Sequence, residues 1–359
     1  MRVAVTLEQC WHRVPGGTAR ATLDTVAAVA ATGHVEQVGV AAWHRRPAPE
    51  AWRPSVPVRR LPLPRLALYD AWQRLRHPRV ERATGAVDLV HATAHVASAS
   101  RAPWVATIHD LHFLHDPTHF TRRGVSVFTR FLDLVRDEAA LVVCPSEATR
   151  ADCVAAGIDE GRIRVTPWGT DRTAVAPAEV QRVRQSYGLE RPFILFVGTI
   201  EPRKNLGRLL EAFARLGDVD ADLVLVGPAG WSTDLPATNA HRLGFVPDRD
   251  LHALYAAATV VSYPSLREGF GLPVLEAMVQ GAAVVTSSTT STAEVAGEAA
   301  LLVDPLDVDA LAGALQRLLD DPGLVAGLGA AAKERAATFT WARTSEATVA
   351  AYRAALGRA

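Results

Sequence analysis

Two glutamates, Glu268 and Glu276, stand eight residues apart in "SLREGFGLPVLEAM", around a glycine pair and in mostly apolar company. The run before them, "TVVSYPS" (259–265), has the pattern of a buried strand, so "LREGFG" is the loop at its carboxyl end. Open α/β sheets bind ligands at that end. Gly269 and Gly271, either side of Phe270, let backbone amides approach a ligand closely. Pro273 suits the first turn of a helix beginning near Leu272, and such a helix start favours anions. Complementing the helix dipole, worth about 0.3–1 kcal/mol, could explain Glu276. It does not explain Glu268, which precedes the glycines. Two carboxylates at the mouth of a sheet suit vicinal hydroxyls, as on a sugar and a ribose.

A second constellation is "VGTIEPRKN" (197–205). Its strand ends at Gly198, Thr199 follows, and Arg203 and Lys204 stand just before the next helix, again at a carboxyl edge. A solvated basic pair is the ordinary explanation. However, the chain has only two lysines, Lys204 and Lys333, and one falls here beside an arginine. A planar fork next to a point charge suits a pyrophosphate.

Weaker signals lie in the first half. Gly16 and Gly17 in "VPGGTAR" fit an anion-facing loop or an ordinary tight turn equally well, and form neither a GxGxxG fingerprint nor a P-loop. "TIHDLHFLHDPTHF" carries four histidines, but HExxH is absent and aromatics and Pro117 interrupt the run, so no metal is expected. His109 and Asp110 follow the strand "WVATI" directly and are its candidate site pair; the other histidines read as structural. "DVDAD" (218–222) and "DVD" (307–309) imitate a metal-binding DxD, yet solvated loop acids explain both.

Two sets of alternating strands and helices must position these groups. Strand patterns occur at 2–7, 35–42, 88–93, 103–110, 140–146 and 162–167, then again at 193–198, 221–228, 241–246, 259–265, 282–288 and 299–305. Helical patterns fall between them at 18–33, 205–216 and 248–258, and one closes the chain. Continuous apolar strands separated by helices imply parallel sheets covered on both faces. The expected fold is therefore α/β, with two doubly wound domains facing across a cleft. Their bounds are 1–170 and 191–340, with a hinge at 171–190 and a terminal helix over 341–359.

At 359 residues the chain suits two domains, and 49% hydrophobic with 21% charged residues suits a soluble globular protein. Zero formal charge leaves no global field to recruit nucleic acid. The basic excess concentrates between Arg45 and Arg82, which hold ten arginines against three acids. It reads as a solvated face or as a patch meeting an anionic membrane or a charged acceptor. Three cysteines without CxxC spacing fit a reducing cytoplasm. Neither a signal segment nor a membrane span is expected.

Taken together these residues resemble glycosyltransferase family 4, the retaining transferases of the GT-B fold. The likeness runs almost end to end, through the GG loop, "TIHDL", "CPSEAT", "VTPWGTD", "VGTIEPRKN", "LGFVPDRDLHALYAAATVVSYPS" and "EGFGLPVLEAM" to "FTW". Glu-x7-Glu with EGFGLP is its most specific element. The resemblance implies that Glu268 binds donor-sugar hydroxyls, with the Phe270 and Gly271 amides nearby, and that Glu276 holds the ribose. It implies that Arg203 and Lys204 neutralise the diphosphate, that Gly16 and Gly17 touch it from the opposite domain, and that His109 lies against the sugar. The backbone at Phe245 and Val246 would meet the base, and the last helix would cross back to the first domain. Two positions depart from the family pattern: Thr199 stands where relatives carry arginine, and Trp168 replaces the Asn of a Pro-Asn-Gly passage.

The implied activity is a metal-independent, retaining hexosyltransferase without a cofactor, using a nucleotide sugar, with GDP-mannose favoured over UDP- and dTDP-linked donors. Its acceptor would be a saccharide, a lipid-linked precursor or a small molecule, with no nucleic-acid partner. The location would be cytoplasmic, with peripheral membrane contact through residues 45–82. Retention would come from front-face substitution; for double displacement Asp110 is the least unsuitable nucleophile. A sugar-nucleotide epimerase or hydrolase, and a non-catalytic nucleotide-binding module, are the competing readings.

Overall fold

The computed structural model describes residues 1–12, 16–170, 173–228 and 240–357. The chain divides into two compact units, Met1–Gly169 with Thr340–Ala359, and Thr170–Phe339.

The first unit holds β1 (Arg2–Thr6), β2 (Glu36–Ala41), β3 (Val58–Arg60), β4 (Leu89–Ala92), β5 (Trp104–Thr107), β6 (Leu141–Cys144) and β7 (Ile163–Val165). They form one sheet in the order β3-β2-β1-β4-β5-β6-β7, and its neighbouring strands pair in parallel. Successive side chains of a strand point to opposite faces, and both faces are covered. Val3, Val5, Leu89, Val105 and Val143 join one core, with Val26 and Val29 of the helix Gly16–Ala31 and Val349 and Tyr352 of the helix Trp341–Ala355. Ala4, Val90, Ala106 and Val142 join the other, with Phe131, Leu134 and Val135 of the helix Arg122–Glu138.

The second unit repeats the plan with β8 (Phe193–Val197), β9 (Asp222–Val226), β10 (His241–Gly244), β11 (Val260–Tyr263), β12 (Ala283–Ser287) and β13 (Leu301–Val303). The order is β10-β9-β8-β11-β12-β13, again parallel. In each sheet the winding reverses at one place, between β1 and β4 and between β8 and β11. Loops leaving those two strands diverge and open a crevice at the carboxyl ends.

Two stretches carry elements that the sequence patterns did not assign. Residues 45–82 contain β3 and the helix Arg65–Leu75. Several of the arginines there serve the fold: Arg60 donates to His44 O at 2.7 Å, and Arg76 donates to Ala97 O at 3.2 Å and pairs with Glu138 at 2.5 Å. The stretch assigned to the hinge contains the helix Pro177–Ser186, joined to the helix Asp248–Ala257 by Arg182–Asp250 at 2.5 Å. Among the described residues no helix is long and apolar enough to cross a membrane.

Candidate active site

The reversal between β8 and β11 brings together the two loops singled out by sequence. Ile194 pairs with Val260 and Leu195 with Val261, so the strands end side by side. After β8 the chain makes a 3-10 turn, Pro202–Lys204, and then Asn205 adopts a left-handed conformation (φ 60°) before the helix Leu206–Arg215. Asn tolerates that region better than most residues. Its side-chain amide donates to Pro264 O at 3.0 Å and to Pro305 O at 2.6 Å, fixing the loops after β8, β11 and β13 against one another.

Glu268 sits at the centre of this arrangement. Its Oε1 lies 2.5 Å from Lys204 Nζ and accepts from Ser265 Oγ at 2.7 Å and from the Tyr263 hydroxyl at 3.0 Å. Its Oε2 accepts from the Arg203 guanidinium at 2.9 Å, and Arg203 Nε is held by Glu201 at 3.0 Å. Lys204 also donates to the Tyr263 hydroxyl. Burial by itself would raise the Glu268 pKa, but the charges of Arg203 and Lys204 prevail and hold it at about 2. Burial lowers the Lys204 pKa, and neighbouring Arg203 acts in the same direction, while Glu268 opposes both. Sequence reasoning gave the carboxylate and the two cations separate tasks; the structure places them in one network. It missed Tyr263, Ser265 and Glu201. "TVVSYPS" reads as a plain buried strand, although hydroxyls at alternate positions near its carboxyl end were a usable signal.

Glu276 lies in the helix Leu272–Gln280, where the buried Tyr255 hydroxyl donates to its Oε2 at 3.2 Å. Gly271 precedes that helix with φ 109°, and a Cβ there would sit 2.7 Å from Thr292 Cγ2. This close approach requires glycine. The helix start carries no side-chain cap. The buried Phe270 ring packs edge-on against Phe339 at 5.8 Å, and Gly269 is buried beside it.

Beside the network, a cavity of about 220 Å³ is lined by Phe196, Gly198, Ile200, Gly227, Arg242 and Gly244. At Gly227 (φ 137°) a Cβ would meet Gly198 O at 2.1 Å, so the ends of β8 and β9 touch backbone to backbone. Thr199 follows, half-buried. Of the residues assigned to the base, Phe245 exposes 80% of its surface and Val246 is buried.

In the first unit Gly16 (φ 65°) and Gly17 open the helix Gly16–Ala31 and are exposed; Val14 and Pro15 lie outside the described residues. His109 is buried beyond β5. Its Nε2 donates to Thr93 O at 2.8 Å, which leaves Nδ1 as the acceptor nitrogen. That Nδ1 is buried without a partner among the described residues. Burial, reinforced by His95, lowers the His109 pKa to about 4, so the ring is neutral at pH 7. Trp168 packs on it at 5.5 Å, which gives the unusual tryptophan an aromatic role. Asp110 Oδ1 accepts from the His112 amide at 3.0 Å. His112 contacts His119 at 2.9 Å and His115 contacts Asp152 at 2.9 Å. Among the described residues no group of His, Cys, Asp or Glu is placed to hold a metal ion.

Comparison with known proteins bears on both units. The family model described as "Glycosyl transferases group 1" matches residues 179–335, and that described as "Glycosyltransferase Family 4" matches 15–174. O-antigen chain mannosyltransferase B of Escherichia coli is 35% identical over 265 residues, covering 69% of this chain and 70% of that protein. The MMP alpha-(1->4)-mannosyltransferase of Mycolicibacterium hassiacum is 36% identical over 211 residues, 55% of this chain and 49% of that protein, so the match spans about half of it. The crystal structure of Anabaena HepE with UDP and glucose superposes with a TM-score of 0.75 at 21% identity, over 98% of both chains. That likeness supports the GT-B fold.

Proposed function

Since the chain belongs to the family 4, group 1 glycosyltransferases, we propose that it transfers mannose with retention from a nucleotide diphosphate sugar, GDP-mannose first, to a saccharide or lipid-linked acceptor. The observation that carries this reading is the Arg203–Glu268–Lys204 network at the β8/β11 reversal. Glu268 holds two cations there, the planar fork of Arg203 and the point charge of Lys204, and together they suit a diphosphate. The E. coli relative, a mannosyltransferase by name, supports mannose. The solved structure with UDP and glucose supports a nucleotide-sugar donor. Relatives that are transferases disfavour the epimerase, hydrolase and non-catalytic readings.

In this assignment Arg203 and Lys204 stabilise charge developing on the departing nucleotide diphosphate. Glu268 keeps both cations aimed and accepts from sugar hydroxyls, while Glu276 accepts from the ribose. Gly198, Thr199 and the backbone at Phe245 and Val246 border the nucleoside. The amides from Gly269 to Leu272, and Gly16 and Gly17, are assigned to the phosphates and sugar. Neutral His109 offers its Nδ1 to a sugar hydroxyl. In the transfer the anomeric C–O bond to the diphosphate breaks, and the acceptor oxygen bonds to the anomeric carbon on the same face. The acceptor proton passes to the departing phosphate oxygen. Front-face substitution requires no protein nucleophile, so Asp110 is given no covalent role; its Oδ1 accepts from the His112 amide. The reading assigns no resident cofactor; the nucleotide sugar is substrate.

Peripheral membrane contact is part of the same proposal. Trp43 is 52% exposed and Leu66 53%, in the stretch that also exposes Arg45, Arg46 and Arg59. Aromatic and basic groups together favour an anionic bilayer surface. Co-sedimentation with phosphatidylglycerol vesicles, and none with phosphatidylcholine vesicles, is the expected result.

Calorimetry with GDP, UDP, dTDP and ADP, with and without EDTA, tests the donor assignment. Preference for GDP that survives EDTA, followed by mannose transfer from GDP-mannose, is expected. A folded sample that binds none of the four would remove the donor assignment.

A further inference from the structure

At the carboxyl ends of β1 and β2 in the first unit lies a charged and aromatic cluster with no part in the donor assignment. Glu8 follows β1 and is 3% exposed. Its Oε2 accepts from the Ala42 amide at 2.8 Å, and its Oε1 lies 2.8 Å from His44 Nε2. His44 follows β2, and its ring stacks on Trp11 with centroids 4.8 Å apart and planes 4° from parallel. Trp11 is itself anchored, its indole N–H donating to Arg46 O at 3.1 Å. The imidazole is therefore fixed by a carboxylate at one nitrogen and by an indole on one face. Its Nδ1 makes no hydrogen bond among the described residues.

A guanidinium joins the carboxylate here. Arg65 opens the helix Arg65–Leu75, half-buried, and no salt bridge joins it to an acid among the described residues. The Trp43 amide donates to Leu63 O at 2.9 Å, which brings the start of that helix beside His44, and Arg65 acts electrostatically on Glu8, His12 and Tyr69. Burial lowers the His12 pKa to about 4, with Arg65 and then His44 acting in the same direction. Bridging the loops after β1 and β2 accounts for Glu8, since it binds the Ala42 amide. That role leaves the stacked Trp11–His44 pair and Arg65 unexplained. A flat aromatic pair suits the apolar face of a sugar ring. A guanidinium that no salt bridge occupies among the described residues suits a phosphate or carboxylate.

From this geometry we infer that Trp11, His44 and Arg65, oriented by Glu8, form an acceptor subsite for a saccharide bearing an anionic substituent. This rests on the first unit serving the acceptor in the function proposed above.

The test uses the full chain and three probes, mannose 6-phosphate, methyl α-mannoside and inorganic phosphate, titrated with and without GDP and followed by calorimetry and protein-observed NMR. Mannose 6-phosphate should bind at least about tenfold more tightly than either other probe. Arg65→Gln should remove that preference without changing GDP affinity. His44→Phe keeps the stack but loses the hydrogen bond to Glu8 and the available Nδ1, and should weaken both sugars; it also serves if Arg65→Gln does not fold. Equal binding of the two sugars, binding of neither, or phosphate binding as well as the sugar phosphate would each overturn the subsite. So would an Arg65→Gln protein that keeps the preference. Loss of GDP binding alone would instead count against the donor assignment, because the sugars are titrated without nucleotide as well.

Discussion

Lys204 Nζ lies 2.5 Å from Glu268 Oε1, although the two residues leave different strands and are 64 positions apart. The pair exists because β8 and β11 are neighbours where the sheet reverses its winding. With Arg203 on the other oxygen, one carboxylate organises two cations. Removing any of the three changes the other two.

Lys204→Met and Glu268→Gln should each lower kcat/KM by more than about 100-fold, or 2.7 kcal/mol. Because they act as one unit, the double variant should fall little below the worse single variant. Steady-state kinetics on all four proteins decides this. Losses that add would mean that the carboxylate and the ammonium act separately.

Acid should expose the same pair. The Glu268 pKa is about 2, below its ordinary value, so the folded state binds that proton less readily than the unfolded chain does. The resulting stabilisation is complete above about pH 5 and is lost as pH falls toward 2. Urea unfolding from pH 7 to pH 3 should show wild type converging on Glu268→Gln. Contributions from groups outside the network cancel in that difference. A gap independent of pH would contradict the depressed value.

Two glycines should respond differently to alanine. At Gly271 the added Cβ meets Thr292 Cγ2, a side-chain atom, at 2.7 Å; at Gly227 it meets Gly198 O, a backbone atom, at 2.1 Å. Both positions also carry the strain of positive φ, about 1–3 kcal/mol for a non-glycine residue. Gly227→Ala should therefore lower Tm more. Thr292→Ser deletes the obstructing methyl group and should recover part of the loss in Gly271→Ala. Thermal melts of the three variants check the ranking.

The parallel sheets were legible in the sequence because their strands are continuous apolar runs, as "FILFVG" and "ADLVLVGP" show. β3 was not legible: it has three residues, and Arg59 and Arg60 are exposed. Arg203 and Lys204 stood out because one of only two lysines falls beside an arginine at a carboxyl edge, and Glu268 because it precedes the glycines, where the helix dipole does not explain it. That Lys204 meets Glu268 was invisible, since it depends on strand order, and order is not written in local pattern. Tyr263 and Ser265 were hidden inside an apolar run. The Glu8–His44 pair was hidden for a similar reason: its members belong to different strand ends, and neither falls in a recognisable motif.

The helix Trp341–Ala355 offers a last test, because a buried polar chain ties it to the first sheet. The Tyr352 hydroxyl shares a hydrogen bond with His91 Nδ1 at 2.7 Å, and His91 Nε2 meets Thr107 Oγ1 at 2.7 Å. Burial lowers the His91 pKa to about 3, with His109 acting in the same direction, so the ring is neutral and has one donor and one acceptor to satisfy. Tyr352→Phe removes one partner and leaves a buried nitrogen unmatched, at a cost of about 1–3 kcal/mol. Thr107→Val should cost a similar amount through the other nitrogen. Because both act on one imidazole, the double variant should not lose the sum. Amide exchange should rise along Trp341–Ala355 in Tyr352→Phe before it rises in β1 or β4. Uniform acceleration across the first unit would show that the helix is held by its apolar face, through Val349 and Ala351, and not by the hydrogen-bonded chain.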